Sequence, residues 1–436
     1  MKKKIFITIG IISGLLILFF SSVKIYGLYV DRTLTYHNTD LTSYFSGPVL
    51  SGLSYVPESE PPEINALSAI VIDECTGKIL YEKEPDRPIP PASITKIAAM
   101  YTAMEELKKQ GIPLDQSYEI PEEAWAANLD RRASKVYMGE GQRITIRQLL
   151  QAMACPSGND AAIALAIILA GSENNFCRLM NKHMKELNLS DTFFCDTSGL
   201  SSGNISTARD LAILSKTYIN KYPENLKEFH SLKEFKYPVA RNLYPYPDSD
   251  KEIPGVTQSF SCTNTLLKTL SGCDGLKTGY IDESGYNLSL TCERNGSRFI
   301  SVTLGGSGNT TLEGTRNRAK DGTEIMEWAF TNFRTLQAEP ANPYPVKLWG
   351  APLKYGTRVL LSEKYKPQLT VPAEASEIQR EIELPEFIQA PVKAGTEVGM
   401  VIYRSEDNIL GEIPLTVKED IPQGSWFKRF IDYMAK

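Results

Sequence analysis

Pro90-Pro91-Ala92-Ser93-Ile94-Thr95-Lys96 leads into a run in which Ile97, Met100, Tyr101, Met104 and Leu107 recur with a period of about 3.6 residues. The run meets Gly111, so the spacing predicts a helix that begins at the proline pair and stops at that glycine. Ser93 and Lys96, three positions apart, share a face of it. A serine hydroxyl is a poor nucleophile until its proton is removed, and a lysine kept neutral by burial and neighbouring positive charge removes it. The positive end of the helix dipole lies beside Lys96 and acts in the same direction. Alone, the four-residue pattern reads equally as an exposed helix start with an N-cap serine.

Two further stretches supply groups of the same chemistry. Ser157-Gly158-Asn159 stands just ahead of a predicted helix at Asp160-Ala161-Ala162. Its hydroxyl suits a proton relay between a neutral lysine and a leaving amine, and its amide suits a substrate carbonyl or the lysine itself. By itself it is ordinary turn chemistry. Lys277-Thr278-Gly279 lies in Asp274-Gly275-Leu276-Lys277-Thr278-Gly279-Tyr280, before a turn at Asp282-Glu283-Ser284-Gly285 and a strand from Tyr286 to Thr291. A strand edge carrying a cation, a hydroxyl and a glycine accepts an extended peptide as an added strand and meets its carboxylate with the cation. The glycine permits close approach.

Ser-x-x-Lys, Ser-x-Asn and Lys-Thr-Gly in that chain order resemble the penicillin-recognising serine hydrolases, that is, penicillin-binding proteins and serine β-lactamases. Asp196-Thr197-Ser198-Gly199-Leu200, Ser206-Thr207-Ala208-Arg209-Asp210-Leu211 and the spacing from Lys277 to Trp328 are similar to low-molecular-mass D-alanyl-D-alanine carboxypeptidases. The resemblance spans residues 66 to 336. It implies an α+β, β-lactamase/transpeptidase-like domain, a helical cluster on an antiparallel sheet, followed by a small all-β domain. It also implies a serine-type D,D-carboxypeptidase that trims the terminal D-alanine from peptidoglycan stem peptides, with β-lactams as covalent inhibitors. Ser93 would be the acylated nucleophile, Lys96 its base and Ser157 a catalytic partner across the cleft. Asn159, Lys277, Thr278, Gly279 and Arg318 would bind substrate, Lys277, Thr278 and Arg318 at its carboxylate. Where the family often has an arginine before Asn-x-Leu-Leu, this chain has Thr263, which shifts that task towards Lys277 and Arg318. The oxyanion hole would be the Ser93 N–H and one from the strand after Gly279.

Two rival readings are weighed. A class A β-lactamase needs a glutamate four residues before an asparagine, and in Met184-Lys185-Glu186-Leu187-Asn188 that position is Met184, with Glu186 better placed on a solvated helix face. A non-catalytic wall- or β-lactam-binding module would not need all three motifs intact.

Between the ends, Ser68-Ala69-Ile70-Val71-Ile72 and Ile79-Leu80-Tyr81 around Cys75-Thr76-Gly77-Lys78 form a hairpin pattern. Helical periods at 97–107, 146–153 and 161–169 give way to strand-like runs at 286–291 and 299–304, which suggests one α+β domain. The expected organisation is an N-terminal signal or anchor over 1–30, a linker over 31–62, the catalytic domain over 63–336, a β domain over 337–421 and an amphipathic helix over 422–436.

Lys2, Lys3 and Lys4 precede Ile5–Val23, an uncharged run that as a helix spans roughly 28 Å of hydrocarbon. The cationic start directs the rest of the chain to the extracytoplasmic face of the cell membrane. Cleaved signal and retained anchor both stay open, with the length of the run favouring the anchor. At the other end Trp426, Phe427, Phe430, Ile431 and Met434 recur at helical spacing opposite Lys428, Arg429 and Lys436, an interfacial pattern, so both termini are expected at the membrane surface.

Composition excludes several classes. With 436 residues, 42% apolar and 23% charged, the chain is globular and long enough for two or three domains. A formal charge of -5 disfavours nucleic-acid binding. The three histidines, His37, His183 and His230, lack metal-ligand spacing, so neither a metal nor a cofactor is expected and the base is not a histidine. Seven cysteines without a CxxC pair read as small buried residues; one bridge, for instance Cys262 to Cys273, is left open.

Overall fold

Strands from the two ends of one long segment pair with each other and thereby enclose the helices between them. The computed structural model describes residues 2–32, 49–338, 343–406 and 408–435, so His37, Lys436 and residues 33–48 of the expected linker lie outside the described residues. The chain divides into two compact units, Val49–Thr335 and a second made of Met1–Pro48 with Leu336–Lys436.

In the first unit a six-stranded sheet is built from β1 (Ser51–Gly52), β2 (Ser68–Asp73), β3 (Lys78–Lys83), β4 (Cys273–Ile281), β5 (Gly285–Arg294) and β6 (Ser297–Gly306), in the order β1-β3-β2-β6-β5-β4. The β2–β3 hairpin and the two late strands stand where the sequence places them. β2 is buried along its whole length, and its register with β6 sets Ile70 opposite Val302 and Ile72 opposite Ile300. The alternation of a strand then sorts the apolar side chains to two faces. Ile70, Ile72, Ile300, Val302 and Leu304 meet the helical cluster, while Ala69, Val71, Leu288, Leu290 and Phe299 meet the helix at the end of the unit.

That cluster contains α2 (Thr95–Gln110), α3 (Ile146–Ala154), α4 (Asn159–Ala170), α5 (Glu173–Glu186) and α6 (Ala208–Lys221). α2 ends at Gly111, whose φ of +67° is the left-handed cap expected there. Its first turns are buried on every side, from Thr95 to Ala103, because Ala98, Ala99 and Ala103 leave room for neighbouring helices. α3 opens with a capping box in which Thr145 Oγ1 accepts from Gln148 N and Gln148 Oε1 accepts from Thr145 N.

On the opposite face of the sheet lies α7 (Thr311–Asn332), packed through Ile325, Met326 and Ala329. The segment read as linker is shorter than expected: Ser51–Gly52 pairs with β3, Tyr55 packs on Phe333, and Ser59 O accepts from Trp328 Nε1. Aromatic burial against the end of α7 draws these residues onto the folded body.

The second unit carries an all-β sheet of β7 (Tyr344–Trp349), β8 (Arg358–Glu363), β9 (Gln379–Glu383), β10 (Phe387–Gln389), β11 (Glu397–Ser405) and β12 (Asn408–Thr416), in the order β9-β11-β12-β8-β7-β10. Val346, Leu348, Leu361, Val401 and Leu415 are buried, whereas the charged edge strand β9 is exposed throughout, which discourages edge-to-edge pairing. The same unit holds α1 (Lys2–Arg32), with Thr8–Val30 long and apolar enough to cross a membrane, and α8 (Trp426–Ala435).

Gly314 sets the seat of α7 on the sheet, since a Cβ there would run into the Tyr286 ring. Helix propensity alone would make Gly314→Ala favourable by about 1 kcal/mol, but overpacking costs about 1–3 kcal/mol. We expect Gly314→Ala to lower Tm by several degrees in calorimetry; an unchanged or raised Tm would show that α7 is not held by this contact.

Candidate active site

Three distant stretches converge on one cleft of about 440 Å³, lined among others by Ser93, Ser157, Asn159, Thr278, Gly279 and Arg318. Ser93 sits in a single tight turn, Ala92–Ile94, that runs directly into α2, so its backbone N–H belongs to the unsatisfied start of a helix. Lys96, one turn on, is completely buried behind it. Lys96 Nζ lies 3.0 Å from Ser93 Oγ, 2.7 Å from Asn159 Oδ1 and 2.6 Å from Ser198 O.

Burial pushes the Lys96 amine down to about 7, with Asp196 and Asp160 opposing. The direction and the burial are the expected ones, but the neighbouring charge is corrected: the side-chain charges acting on Lys96 are negative rather than positive. Asp160 itself is occupied at the start of α4, where Oδ2 accepts from Val136 N and Met138 N and Oδ1 from Ala161 N.

Ser157 occupies the left-handed region with φ +66°, a conformation that costs about 1–3 kcal/mol for a non-glycine residue and persists only where its surroundings fix it. Asn159 N donates to Ser134 O, which fastens the same turn from its other side.

The opposite wall is β4, which ends the sheet and so offers a free edge. Gly279 is the residue that lets this edge reach the serine: a Cβ there would lie 2.7 Å from Pro91 O and 3.2 Å from Ser93 N. Lys277 is buried, with Nζ donating to Thr278 O at 2.9 Å. Burial holds its amine well below the usual lysine range, and the positive charges of Lys96 and Arg318 add to this. Arg318, on α7, donates from Nη1 to Gly279 O at 3.2 Å and lies over the Tyr286 ring. Two buried amines and a buried guanidinium around one cleft leave a region that an anion relieves. Thr278 Oγ1 donates to Thr263 Oγ1 at 2.7 Å, so the position where the family often has an arginine is a hydrogen-bond partner of the Lys-Thr-Gly threonine.

Two features went unassigned in the sequence. The turn Asp196–Leu200 supplies the Ser198 carbonyl that Lys96 meets, and Asp196 holds it by accepting from Ser198 N, Gly199 N and Ser201 N. Gly199, at φ +81°, packs so closely on Ala92 O that any Cβ would collide with it. An aspartate followed by Ser-Gly is the signal for such a side-chain-capped turn. The second is a disulfide between Cys155 and Cys262, one bridge where buried thiols were the first reading and Cys262–Cys273 the named alternative. Cys262 is taken by Cys155, and Cys273 stands opposite Cys292 in the β4–β5 register. Among the described residues no cluster of metal-ligating side chains occurs. His230 is buried between Tyr218 Oη and Leu276 O, and His183 pairs with Glu186.

A family model described as D-alanyl-D-alanine carboxypeptidase matches residues 56–308. The chain belongs to this family. A second model, described as penicillin-binding protein 5, C-terminal domain, matches residues 350–423. Relatives of this D-alanyl-D-alanine carboxypeptidase include DacF of Bacillus subtilis, 30% identical over 83% of this chain and 87% of that protein. Among solved structures, penicillin binding protein 5 from Haemophilus influenzae is similar with a TM-score of 0.71 and 27% identity, over 84% of this chain and all of that one. Penicillin-Binding Protein D2 from Listeria monocytogenes, in its cefotaxime-bound form, is similar with a TM-score of 0.51 and 29% identity, over 62% of this chain and 98% of that one. The chain is thus a serine-type D,D-carboxypeptidase, a cell-wall hydrolase of the penicillin-binding proteins.

Because the Gly279 contact fixes the separation of the two walls, Gly279→Ala should slow labelling by fluorescent penicillin by roughly a hundredfold, the effect of displacing reacting groups by about 1 Å. Stopped-flow or timed-gel labelling reads this directly, and a rate within twofold of the parent would show the close approach to be dispensable.

Proposed function

We propose that Ser93 is the nucleophile of this carboxypeptidase and Lys96 its base. What supports the reading is a fully buried Lys96 amine standing 3.0 Å from the Ser93 hydroxyl. A neutral amine has two N–H donors and one lone pair, and Asn159 Oδ1 and Ser198 O accept the two donors. In that neutral form the lone pair faces the Ser93 hydroxyl, to which Nζ as an ammonium donates instead.

Ser93 Oγ attacks the carbonyl carbon of the last peptide bond as its proton passes to Lys96 Nζ, and the carbonyl oxygen takes negative charge beside the Ser93 N–H and the strand after Gly279. The proton then moves through the Ser157 hydroxyl to the departing nitrogen, the C–N bond breaks, and D-alanine leaves with both its amine and its carboxylate. Water attacks the acyl-enzyme, gives its proton to Lys96, and Ser93 recovers its hydroxyl as the shortened stem peptide is released. Thr278, Lys277 and Arg318 meet the substrate carboxylate, whose charge draws the depressed Lys277 amine back towards its ammonium form. β-Lactams enter the same sequence and stop at the acyl-enzyme; the cefotaxime-bound form of the similar Listeria protein supports this. Met184 is buried in α5 and Glu186 lies at its surface, so this stretch does not supply the deacylating glutamate that a class A β-lactamase needs.

We assign both termini to the membrane, with the folded units on the extracytoplasmic side where the polymer is. Thr8–Val30 supplies an apolar span, and α8 exposes Trp426, Phe427 and Phe430. Tyr26 Oη donates to Asp432 and Phe19 stacks on Phe430, so α1 is tied to α8, which supports a retained anchor over a cleaved signal.

Ser93→Ala should release no D-alanine from a diacetyl-Lys-D-Ala-D-Ala peptide and form no penicillin adduct by mass spectrometry; an adduct on another residue would sink the assignment. Only the neutral Lys96 accepts a proton, so the acid limb of kcat/KM should climb with pH to a midpoint near 7. A profile flat from about pH 5 to 9 would contradict the role of Lys96. Deleting residues 423–436 should weaken co-sedimentation with anionic vesicles of a chain that also lacks residues 1–32, and equal sedimentation would remove α8 from the membrane assignment.

A further inference from the structure

The Cys155–Cys262 bridge joins the two walls of the cleft at the points where their reacting side chains begin. Cys155 ends α3 two residues before Ser157, and Cys262 directly precedes Thr263. Thr263 N donates to Cys155 O at 3.1 Å, and Thr263 Oγ1 accepts from Thr278 Oγ1 at 2.7 Å. The next residue, Asn264, donates from Nδ2 to Gly275 O on β4. A continuous path therefore runs from Ser157 through Pro156 and the bridge to Thr263 and on to Thr278. Cys155 is 1% exposed, while Cys262 and Thr263 line the cleft itself.

Ser157 also holds a left-handed backbone that its surroundings must enforce. Helix packing fixes α3 and α4 on either side of this turn, but across the cleft the turn is held by Thr263 and the bridge.

We infer that the Cys155–Cys262 disulfide, acting with Thr263, is a positioning element of the carboxypeptidase site that sets the spacing of Ser157 against Thr278. It touches neither the reacting serine nor the base; it acts through the residues on either side of it. The inference rests on the assignment of Ser93 as nucleophile. Opening the bridge with a dithiol transfers two electrons and two protons to the sulfur pair, giving two thiols, while the reductant closes to its own cyclic disulfide. Chain connectivity and the packed core are left unchanged, so the folded enzyme persists with a looser cleft.

The test uses the full chain, reduced with dithiothreitol and freed of it under nitrogen, beside a Cys155→Ala/Cys262→Ala variant. Labelling by fluorescent penicillin separates two quantities, the rate at which Ser93 is acylated and the fraction of molecules that label. Positioning predicts labelling to the parent's endpoint at a rate lower by about tenfold or more, as a modest misplacement of reacting groups requires. It also predicts the same loss in the double variant, which reductant does not change, and a similar loss in Thr263→Val with recovery in Thr263→Ser. A purely stabilising bridge would instead lower the endpoint and Tm while the folded molecules label at the parent rate, and that result overturns the inference. So does an unchanged rate in the reduced chain, or a slowing of the double variant by reductant. Absence of labelling in the oxidised parent strikes at the Ser93 assignment instead.

Discussion

An amine without water around it is the constraint on which the proposed chemistry of this enzyme depends. Ammonium would be the preferred state of Lys96 in solvent, and only complete burial brings its neutral form within reach at physiological pH. Burial of a lysine is costly, and the protein offsets part of it with two oxygen acceptors delivered from distant places, the Asn159 side chain and the Ser198 carbonyl. Each acceptor has its own support: the Asn159 turn is held by Ser134 O, and the Ser198 turn by the Asp196 carboxylate. The catalytic arrangement is therefore inseparable from the way three segments pack around one side chain.

The sheet makes that convergence possible. Pairing β2 with β6 brings the beginning and end of the unit together, and the β4 edge then lies beside the turn that begins α2. Two glycines govern how close the parts come, Gly279 from the strand and Gly199 from the Asp196 turn, both pressed against Ala92 and Ser93. At these positions a single methyl group is the difference between a formed and a blocked site.

Much of this was legible in the sequence, and for identifiable reasons. Periodicity located α2, and the three short motifs named Ser93, Lys96, Ser157 and Lys277 because their chemistry requires particular side chains in a particular order. Backbone groups left no such mark. The Ser198 carbonyl could not be named from residue type, since every residue has one, and the partner of Cys155 could not be deduced from spacing, since the bridge closes over 107 positions. Burial of Lys96 was expected, but the negative charges of Asp160 and Asp196 that work against it were hidden, because they come from segments the packed cluster brings together. The linker was overestimated because proline and serine content masks the packing of Tyr55 and Ser59 onto the body.

The most direct measurement is the titration of the Lys96 amine itself in the resting enzyme, followed by nuclear magnetic resonance of labelled lysine and assigned through Lys96→Arg. A midpoint near 7 is the result this account requires. Titration in the ordinary lysine range, above about 10, would leave Ser93 without its base and contradict it.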